Sequence, residues 1–251
     1  MRNQCGHGLA VATGVAIGRL VAPATLGLFN GIGLVVSYAS LLGLGVTTGL
    51  ARELPLSVGK GDRSQAEAYA SAAQAWCLLV GGVVSVVLLG TAGFYLARGE
   101  FWKSAGWLAN ALAIVPFFYN DYQERTYRTA HEFGILALKN VALYAAHLLL
   151  LVLVVPFNFY GLCLRLVLGG ALTVGLYYHG RPVNVGPKWD ATHLKHLLRI
   201  GLPIFVVGKL FDYWLVIDQT LVLKLGGTRM MGLYAVVTMS TTALSTVPGA
   251  V

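Results

Sequence analysis

The stretch from Gly43 to Asp62, GLGVTTGLARELPLSVGKGD, marks the point where a long apolar run ends and charge begins. Leu26 to Leu50 contains no Asp, Glu, Lys, Arg or His, and about 20 apolar residues are enough to cross a lipid bilayer. Pro55 lacks a backbone donor, so we expect the helix to end there. The charged residues that follow the apolar run are Arg52, Glu53, Lys60, Asp62 and Arg63. Because Arg and Lys gather on the cytoplasmic side of membrane proteins, we expect this loop to face the cytoplasm.

The composition of the whole chain agrees with a lipid environment. Hydrophobic residues make up 57% of the chain, charged residues 11%, and the mean hydropathy is +0.70, whereas soluble domains are about 25% charged. Only helices and closed barrels satisfy the backbone in hydrocarbon, and the apolar runs have helical length. The sequence therefore predicts an all-α integral membrane protein, a multi-pass helical bundle in contact with the lipid bilayer.

The net charge of +8 raises nucleic acid as a partner. The basic residues lie between apolar runs, however, as membrane anchors do, so we expect no nucleic-acid partner. The three cysteines have no zinc spacing and form no disulfide framework. Since the chain also lacks an acidic dyad, a nucleophile with a base and a metal-binding cluster, we expect neither enzymatic activity nor a cofactor.

The apolar runs divide the chain into two lobes. We expect eight membrane segments, at about 8–22, 26–50, 66–97, 104–128, 135–155, 159–178, 200–225 and 230–251. Residues 1–178 would form a six-helix lobe, 179–199 a cytoplasmic linker, and 200–251 the incomplete start of a second lobe. Within the linker, Trp189 to Arg199 has the pattern of a basic amphipathic helix that lies on the bilayer. Most loop Lys and Arg fall on one side of this arrangement, which predicts a cytoplasmic N-terminus.

Four separated clusters around the opening stretch occur in a fixed order: Leu28-Phe29, Leu41 to Gly45 with Gly49-Leu50, Arg52 to Pro55, and Gly59 to Asp62. This pattern resembles the lipid-linked oligosaccharide flippases of bacterial polysaccharide biosynthesis, in the multidrug/oligosaccharidyl-lipid/polysaccharide exporter superfamily. The resemblance implies a transporter that moves a polysaccharide or O-antigen precursor across the inner membrane by alternating access. The chain departs from the family near Asp218, where Gln219 stands in place of the usual Arg.

Such a substrate carries a pyrophosphate, which Arg binds as a fork and Lys as a point charge. The candidate substrate-binding residues are therefore Arg52, Arg165 and Lys209. By helical rise, Arg165 lies roughly 10 Å and Lys209 roughly 14 Å from the nearer helix end. Two interpretations stay open for Arg165, a cation that faces a wet cavity and a side chain that snorkels to the interface. Arg52 is equally explained as an ordinary cytoplasmic anchor.

Acidic residues support an alternative, a cation-coupled antiporter of the same superfamily. Its ion-coupling candidates are Asp212 and Asp218, although Asp212 is also spaced to pair with Lys209. The inner end of the fourth helix carries two further acids, and both have a partner four residues on: Asp121 with Arg125, and Glu124 with Arg128. We interpret these pairs as a self-neutralised helix end.

An offset of 205 residues brings two short segments together, because Gly27-Leu28-Phe29 then coincides with Gly232-Leu233-Tyr234. Arg19 coincides with Lys224 at the same spacing. The repeat fits a transporter with two parallel lobes. Since only the start of a second copy is present, we expect a truncated sequence that does not transport alone. A non-transporting fragment is therefore a further alternative.

Overall fold

The structure, a computed structural model, describes residues 13, 16–130 and 133–245, except for the side chains at 133, 211, 212 and 239–245. In that part of the chain every regular element is a helix, which confirms the all-α class. The α-helices are α1 Pro23–Ala39, α2 Val46–Gly59, α3 Arg63–Ala97, α4 Phe101–Thr129, α5 Phe133–Leu149, α6 Val154–Tyr178 and α7 Ala191–Ser245. Short 3-10 helices occupy Ser40–Gly43 and Leu150–Leu153.

The segment expected as one helix, 26–50, is broken between α1 and α2. Leu44 and Gly45 have φ angles of 48° and 78°, and two consecutive left-handed residues cannot continue a right-handed helix. The expected stop at Pro55 is wrong, because α2 continues to Gly59. Burial of Leu54, which has no exposed surface, holds this helix in place despite the hydrogen bond that proline removes.

The long helices α3 and α4 supply much of the buried core of the helices before residue 179, which we call the first lobe. Their bounds match the sequence expectation within about one turn. Asp62 caps α3 by accepting a hydrogen bond from the N–H of Gln65 at 3.0 Å. Small residues bring the two helices together: a Cβ at Gly81 would lie 3.1 Å from the Cα of Val115. Ser85 also donates to the carbonyl of Ala111 at 2.7 Å. Close backbone contact of this kind is typical of packing between membrane helices.

The turn expected at 156–158 is present within α6, because the backbone leaves helical geometry at Asn158, with φ 50° and ψ −115°. Asn tolerates positive φ better than most residues. The side chain of Phe159 directly after it is fully buried. Its ring meets Phe29 of α1 edge-on at 6.4 Å, so the turn is fixed against α1.

The interfacial helix expected at 189–199 is not separate. Its residues from Ala191 onward are the first turns of α7, and Leu194 and Leu197 are buried in the protein core at 6% and 0% exposure. The expectation that they face lipid is therefore wrong. An amphipathic pattern shows that one face is apolar, but it does not show whether protein or lipid covers that face.

Polar and aromatic contacts hold the start of α7 on α2 and α3. The ring of His196 stacks on Tyr69, with centroids 5.5 Å apart, and its Nε2 lies 3.3 Å from Oε2 of Glu53. Asp190 caps the helix and accepts hydrogen bonds from the N–H groups of His193 and Thr192. The linker is thereby docked on the first lobe.

Two glycine crossings bring α7 against the opening helices. At the first, Gly201 packs against the carbonyl of Gly45, and Gly49 against the carbonyl of Leu197. A side chain at Gly201 or Gly49 would collide with these backbone atoms. The first crossing therefore joins α7 to the break between α1 and α2.

At the second crossing, Gly27 packs against the carbonyl of Thr228, and Gly232 against the carbonyl of Pro23. The 205-residue offset of the sequence repeat converts one contact into the other, because Gly27 corresponds to Gly232 and Pro23 corresponds to Thr228. Two further contacts exchange in the same way: Gly18 with Val236, and Gly31 with Leu223. The two copies of the repeat therefore pack on one another with approximate two-fold symmetry. Within the second copy, α7 leaves helical geometry at Gly227, with φ 72°.

Three stretches of the described chain are long and apolar enough to cross a membrane: Pro23–Gly43, Arg63–Ala97 and Gly134–Tyr178. A fourth is the bent pair Ala191–Leu210 and Tyr213–Thr238, whose parts meet at 48°. The eight segments expected from the sequence also include α4, which carries several charges, and residues 8–22, which lie largely outside the described part. The orientation with a cytoplasmic N-terminus stays a prediction.

Candidate functional site

A cavity of about 470 Å³ lies between the first lobe and α7, and we call it the central cavity. Each helix from α2 to α7 contributes at least one residue to its wall, for example Thr48, Cys77, Asp121, Tyr144, Thr173 and Lys209. The break at Gly45 and the ring of Phe205 line it near the first glycine crossing. The site is therefore an internal space where α7 faces the first lobe.

One wall of the central cavity carries acidic and basic side chains of α4. Arg125 lies 3.2 Å from Asp121, and Arg128 forms an ion pair with Glu124, as the sequence predicted. The cavity is nevertheless lined by Asp121, Glu124 and Arg125. These side chains therefore contribute to the cavity wall as well as neutralising the helix end. The Nε of Arg125 is buried and has no hydrogen-bond partner among the described residues.

Another part of the cavity wall carries Lys209 of α7. This side chain is half-buried, and its ammonium lies 5.9 Å from the ring centroid of Phe205. A cation near an aromatic face is stabilised by the ring quadrupole. Lys209 therefore brings positive charge to the cavity from α7, a different helix from the one that carries the ion pairs.

A side pocket of about 310 Å³ adjoins the central cavity, and the two share Asn120, His147 and Thr173 in their walls. The Nε of Arg165 donates to the carbonyl of His147 at 3.2 Å, which fixes the guanidinium at the pocket. The Oδ1 of Asn120 is buried there without a hydrogen-bond partner among the described residues. Because an unpaired buried polar atom costs free energy, such an atom favours a polar occupant or water at this position.

A narrow pocket of about 190 Å³ extends from the central cavity in another direction. Both spaces contact Ser40, Phe117 and Lys209. The ring of Phe117 also lines the side pocket, so this residue separates three adjoining spaces. Its side chain is 42% exposed, which leaves it room to change rotamer.

The structure brings together some of the residues that the sequence singled out. Lys209 lines the central cavity and Arg165 the side pocket. Arg52 is exposed on α2, outside the described cavities, and Asp218 is half-buried outside their walls. The side chain of Asp212 lies outside the described residues.

Sequence reasoning missed Asp121, Glu124 and His147 as cavity residues. The two acids were explained by ion pairs within their own helix, and that explanation gave no reason to expect contacts with a cavity between helices. His147 lies in an apolar run with no charged neighbour. Its isolation was itself a signal, since ionisable residues within membrane helices mark functional sites often enough to be the default hypothesis.

Outside the membrane segments, one carboxyl group of the linker is electrostatically perturbed. The backbone N–H of His193, its ring and the N–H of Thr192 contact the carboxylate of Asp190. These contacts hold the pKa of the Asp190 carboxyl below its ordinary value. The carboxylate is therefore ionised at neutral pH and suited to its position at a helix N-terminus.

No family model and no curated protein sequence matches the chain. A solved structure of similar fold is described as the inward-facing conformation of a multidrug resistance MATE family transporter of the MOP superfamily. The match has a TM-score of 0.68 and 16% sequence identity, and it covers 93% of this chain. This chain spans 56% of the length of that transporter. The similarity establishes the fold, an all-α membrane bundle.

Proposed function

We propose that this chain belongs to a transporter that moves a lipid-linked oligosaccharide across the bacterial inner membrane by alternating access. The observation that carries the proposal is the central cavity, which Lys209 of α7 lines together with polar residues of the first lobe. In alternating access, the binding site lies between two lobes and opens first to one side of the membrane and then to the other. A cavity between one lobe and the first helix of the next lobe fits such a site. The fold of the MATE transporter supports the same architecture.

The charges of the cavity fit a pyrophosphate head group. Asp121 and Glu124 are each paired with an arginine on their own helix, which offsets their repulsion of an anion. Lys209 then supplies a point charge for the phosphates, and Arg165 offers a guanidinium in the adjoining side pocket. In the predicted orientation, the exposed Arg52 attracts the head group at the cytoplasmic face.

A binding experiment tests this function. The 251-residue chain in lipid nanodiscs is titrated with undecaprenyl pyrophosphate. We expect Lys209→Gln to weaken the affinity about tenfold or more, since it removes a charge-assisted contact in a partly dry site. Lys188→Gln is the matched control, because Lys188 is exposed in the linker, and we expect it to change the affinity little.

Equal affinity in wild type and Lys209→Gln would contradict the assignment of Lys209. Failure of the wild-type chain to bind the lipid would contradict the proposed substrate. Thermal unfolding of both variants in the same nanodiscs shows whether a loss of affinity reflects a loss of folding.

Cation-coupled antiport is the second candidate function. The observation in its favour is that Asp121 and Glu124, together with His147, line the central cavity, since coupling sites need groups that bind a cation. Because we expect that the chain does not transport alone, we test it as ethidium binding to the chain in nanodiscs. Ethidium binding by the wild type that sodium or protons compete away, and that Asp121→Asn loses, would favour antiport; the proposed function predicts no such binding.

A further inference from the structure

A second chamber, of about 320 Å³, lies among α1, α4, α6 and α7, and its polar lining consists of amides and hydroxyls. We call it the amide chamber. Its polar residues are Asn30, Ser37, Asn110, Gln219 and Thr238. Among the described residues that line it, none is ionisable. The central cavity and the amide chamber therefore differ in their chemistry.

One amide of the chamber has unused hydrogen-bonding capacity. The Nδ2 of Asn30 is buried and has no hydrogen-bond partner among the described residues. Asn110 is 2% exposed, and its Nδ2 donates to the carbonyl of Gly106 at 2.8 Å. Each amide carries two N–H donors and an acceptor oxygen. The chamber thus combines an unsatisfied donor with further polar groups that are held in place.

Gln219 is the position where the resemblance leads one to expect an arginine. In this chain its uncharged amide lines the chamber, so a cation is replaced by a group that both donates and accepts. A phosphate or carboxylate gains little from such a lining, because an ion in a dry site needs an opposite charge. Uncharged hydroxyl groups match this lining, because they also donate and accept hydrogen bonds.

Apolar side chains complete the wall. Phe29, Leu34, Leu166 and Met231 line the chamber beside the amides. A ligand that fits has uncharged hydroxyl or amide groups on its edge and C–H groups on its faces, which is the chemistry of a sugar ring. Apolar walls with a few placed polar groups are typical of small-molecule sites.

The chamber lies next to the phosphate candidate. The narrow pocket contacts Lys209 of the central cavity, and it shares Val36 and Ser37 with the amide chamber. A single ligand can therefore place an anionic group near Lys209 and the group linked to it in the amide chamber. A glycan attached to a lipid pyrophosphate has this order of groups.

We propose that the amide chamber binds an uncharged sugar unit of the lipid-linked glycan whose pyrophosphate lies near Lys209. The proposal rests on the proposed function, and it adds Asn30 and Gln219 as residues that hydrogen-bond the sugar. The competing explanation is that these side chains only join helices, as Asn and Gln do in membrane bundles. The two explanations differ in whether the amides distinguish a sugar-bearing lipid from a bare one.

The test compares two probes in nanodiscs: undecaprenyl pyrophosphate, and the same lipid pyrophosphate carrying one N-acetylglucosamine. We expect the wild-type chain to bind the sugar-bearing lipid more tightly. Gln219→Met and Asn30→Leu, which keep approximate side-chain size, are each expected to weaken that binding about fivefold, the loss of one hydrogen bond. Binding of the bare lipid stays the same in both variants, whereas Lys209→Gln weakens both.

Thr91→Val is the matched control, because Thr91 donates only to carbonyls of its own helix, α3, away from the chamber. It should change neither affinity. Equal affinity of the wild type for the two lipids would overturn the sugar site and leave the proposed function standing. Equal losses for both lipids in Gln219→Met and Asn30→Leu would show that the amides only join helices. Failure of the wild type to bind either lipid would contradict both the proposed function and the sugar site.

Discussion

At the scale of single residues, Asp190 shows how one carboxylate starts a helix of 55 residues. Its oxygen accepts from the N–H groups of Thr192 and His193 at 2.9 and 3.1 Å. A side-chain acceptor at this position satisfies donors that have no partner within the helix, and the negative charge interacts favourably with the helix dipole. The docking of α7 on the first lobe therefore begins at this residue.

This contact predicts a pH dependence. Because the pKa of the Asp190 carboxyl is lowered in the folded chain, its contribution is present above the unfolded pKa and is lost as pH falls through the lower, folded pKa. We expect wild type to have a higher Tm than Asp190→Asn near neutral pH. That difference should shrink as the pH is lowered from about 5, through the ordinary aspartate pKa of about 3.9, toward the lower pKa of the folded chain.

The measurement is thermal unfolding in detergent across this pH range. Glu67→Gln is the matched carboxyl-to-amide control, since Glu67 is an exposed carboxyl on α3, away from the start of α7. A Tm difference for Asp190→Asn that grows toward acid pH would show that the assigned sign is wrong.

The sequence indicated some site residues and concealed others for a physical reason. Lys209 and Arg165 are visible because a cation inside an apolar run needs an explanation. Asp121 and Glu124 have helical partners four residues away, so the sequence explained them locally. Their access to the cavity depends on how α4 faces the other helices, and spacing along one helix cannot give that.

At the scale of elements, the first glycine crossing connects the break in the opening helix to α7. Gly45 has a φ of 78° and packs on Gly201, so the left-handed turn and the close approach occur together. The glycine-rich opening stretch was visible in the sequence, but the break inside its apolar run was not. Pro55 shows the reverse case. The proline predicts a helix end that is clear in the sequence, but tertiary packing keeps α2 helical as far as Gly59.

A matched pair of substitutions tests this crossing. A Cβ at Gly201 would collide with the carbonyl of Gly45, whereas a Cβ at Gly208, on the same helix, would meet nothing within 4 Å. Alanine improves helix propensity equally at both positions. We therefore expect Gly208→Ala to keep or raise the Tm, and Gly201→Ala to destabilise the chain by about 1–3 kcal/mol, the cost of overpacking.

Differential scanning calorimetry of the two variants in the same detergent makes the comparison. If Gly201→Ala is as stable as Gly208→Ala, the two helices do not pack through their backbones at this crossing.

At the scale of the whole molecule, the central cavity, the narrow pocket and the amide chamber lie where α7 meets the first lobe, and the side pocket adjoins them within the first lobe. The side pocket, central cavity, narrow pocket and amide chamber share lining residues with their neighbours. The glycine crossings join α7 to α2 and to the start of α1. Hydropathy predicted the helices, and the internal repeat indicated two related halves. The cavities themselves arise only from packing, which is why sequence reasoning identified candidate charges but not their common site.

The central claim is that the space between the first lobe and α7 holds the pyrophosphate of a lipid-linked glycan. The most direct test is a cryo-electron microscopy structure of the chain in nanodiscs with undecaprenyl-pyrophosphoryl-N-acetylglucosamine. We predict density for the pyrophosphate within hydrogen-bond distance of the Nζ of Lys209, inside the central cavity. Head-group density on the lipid-facing surface, with the cavity free of it, would contradict the account.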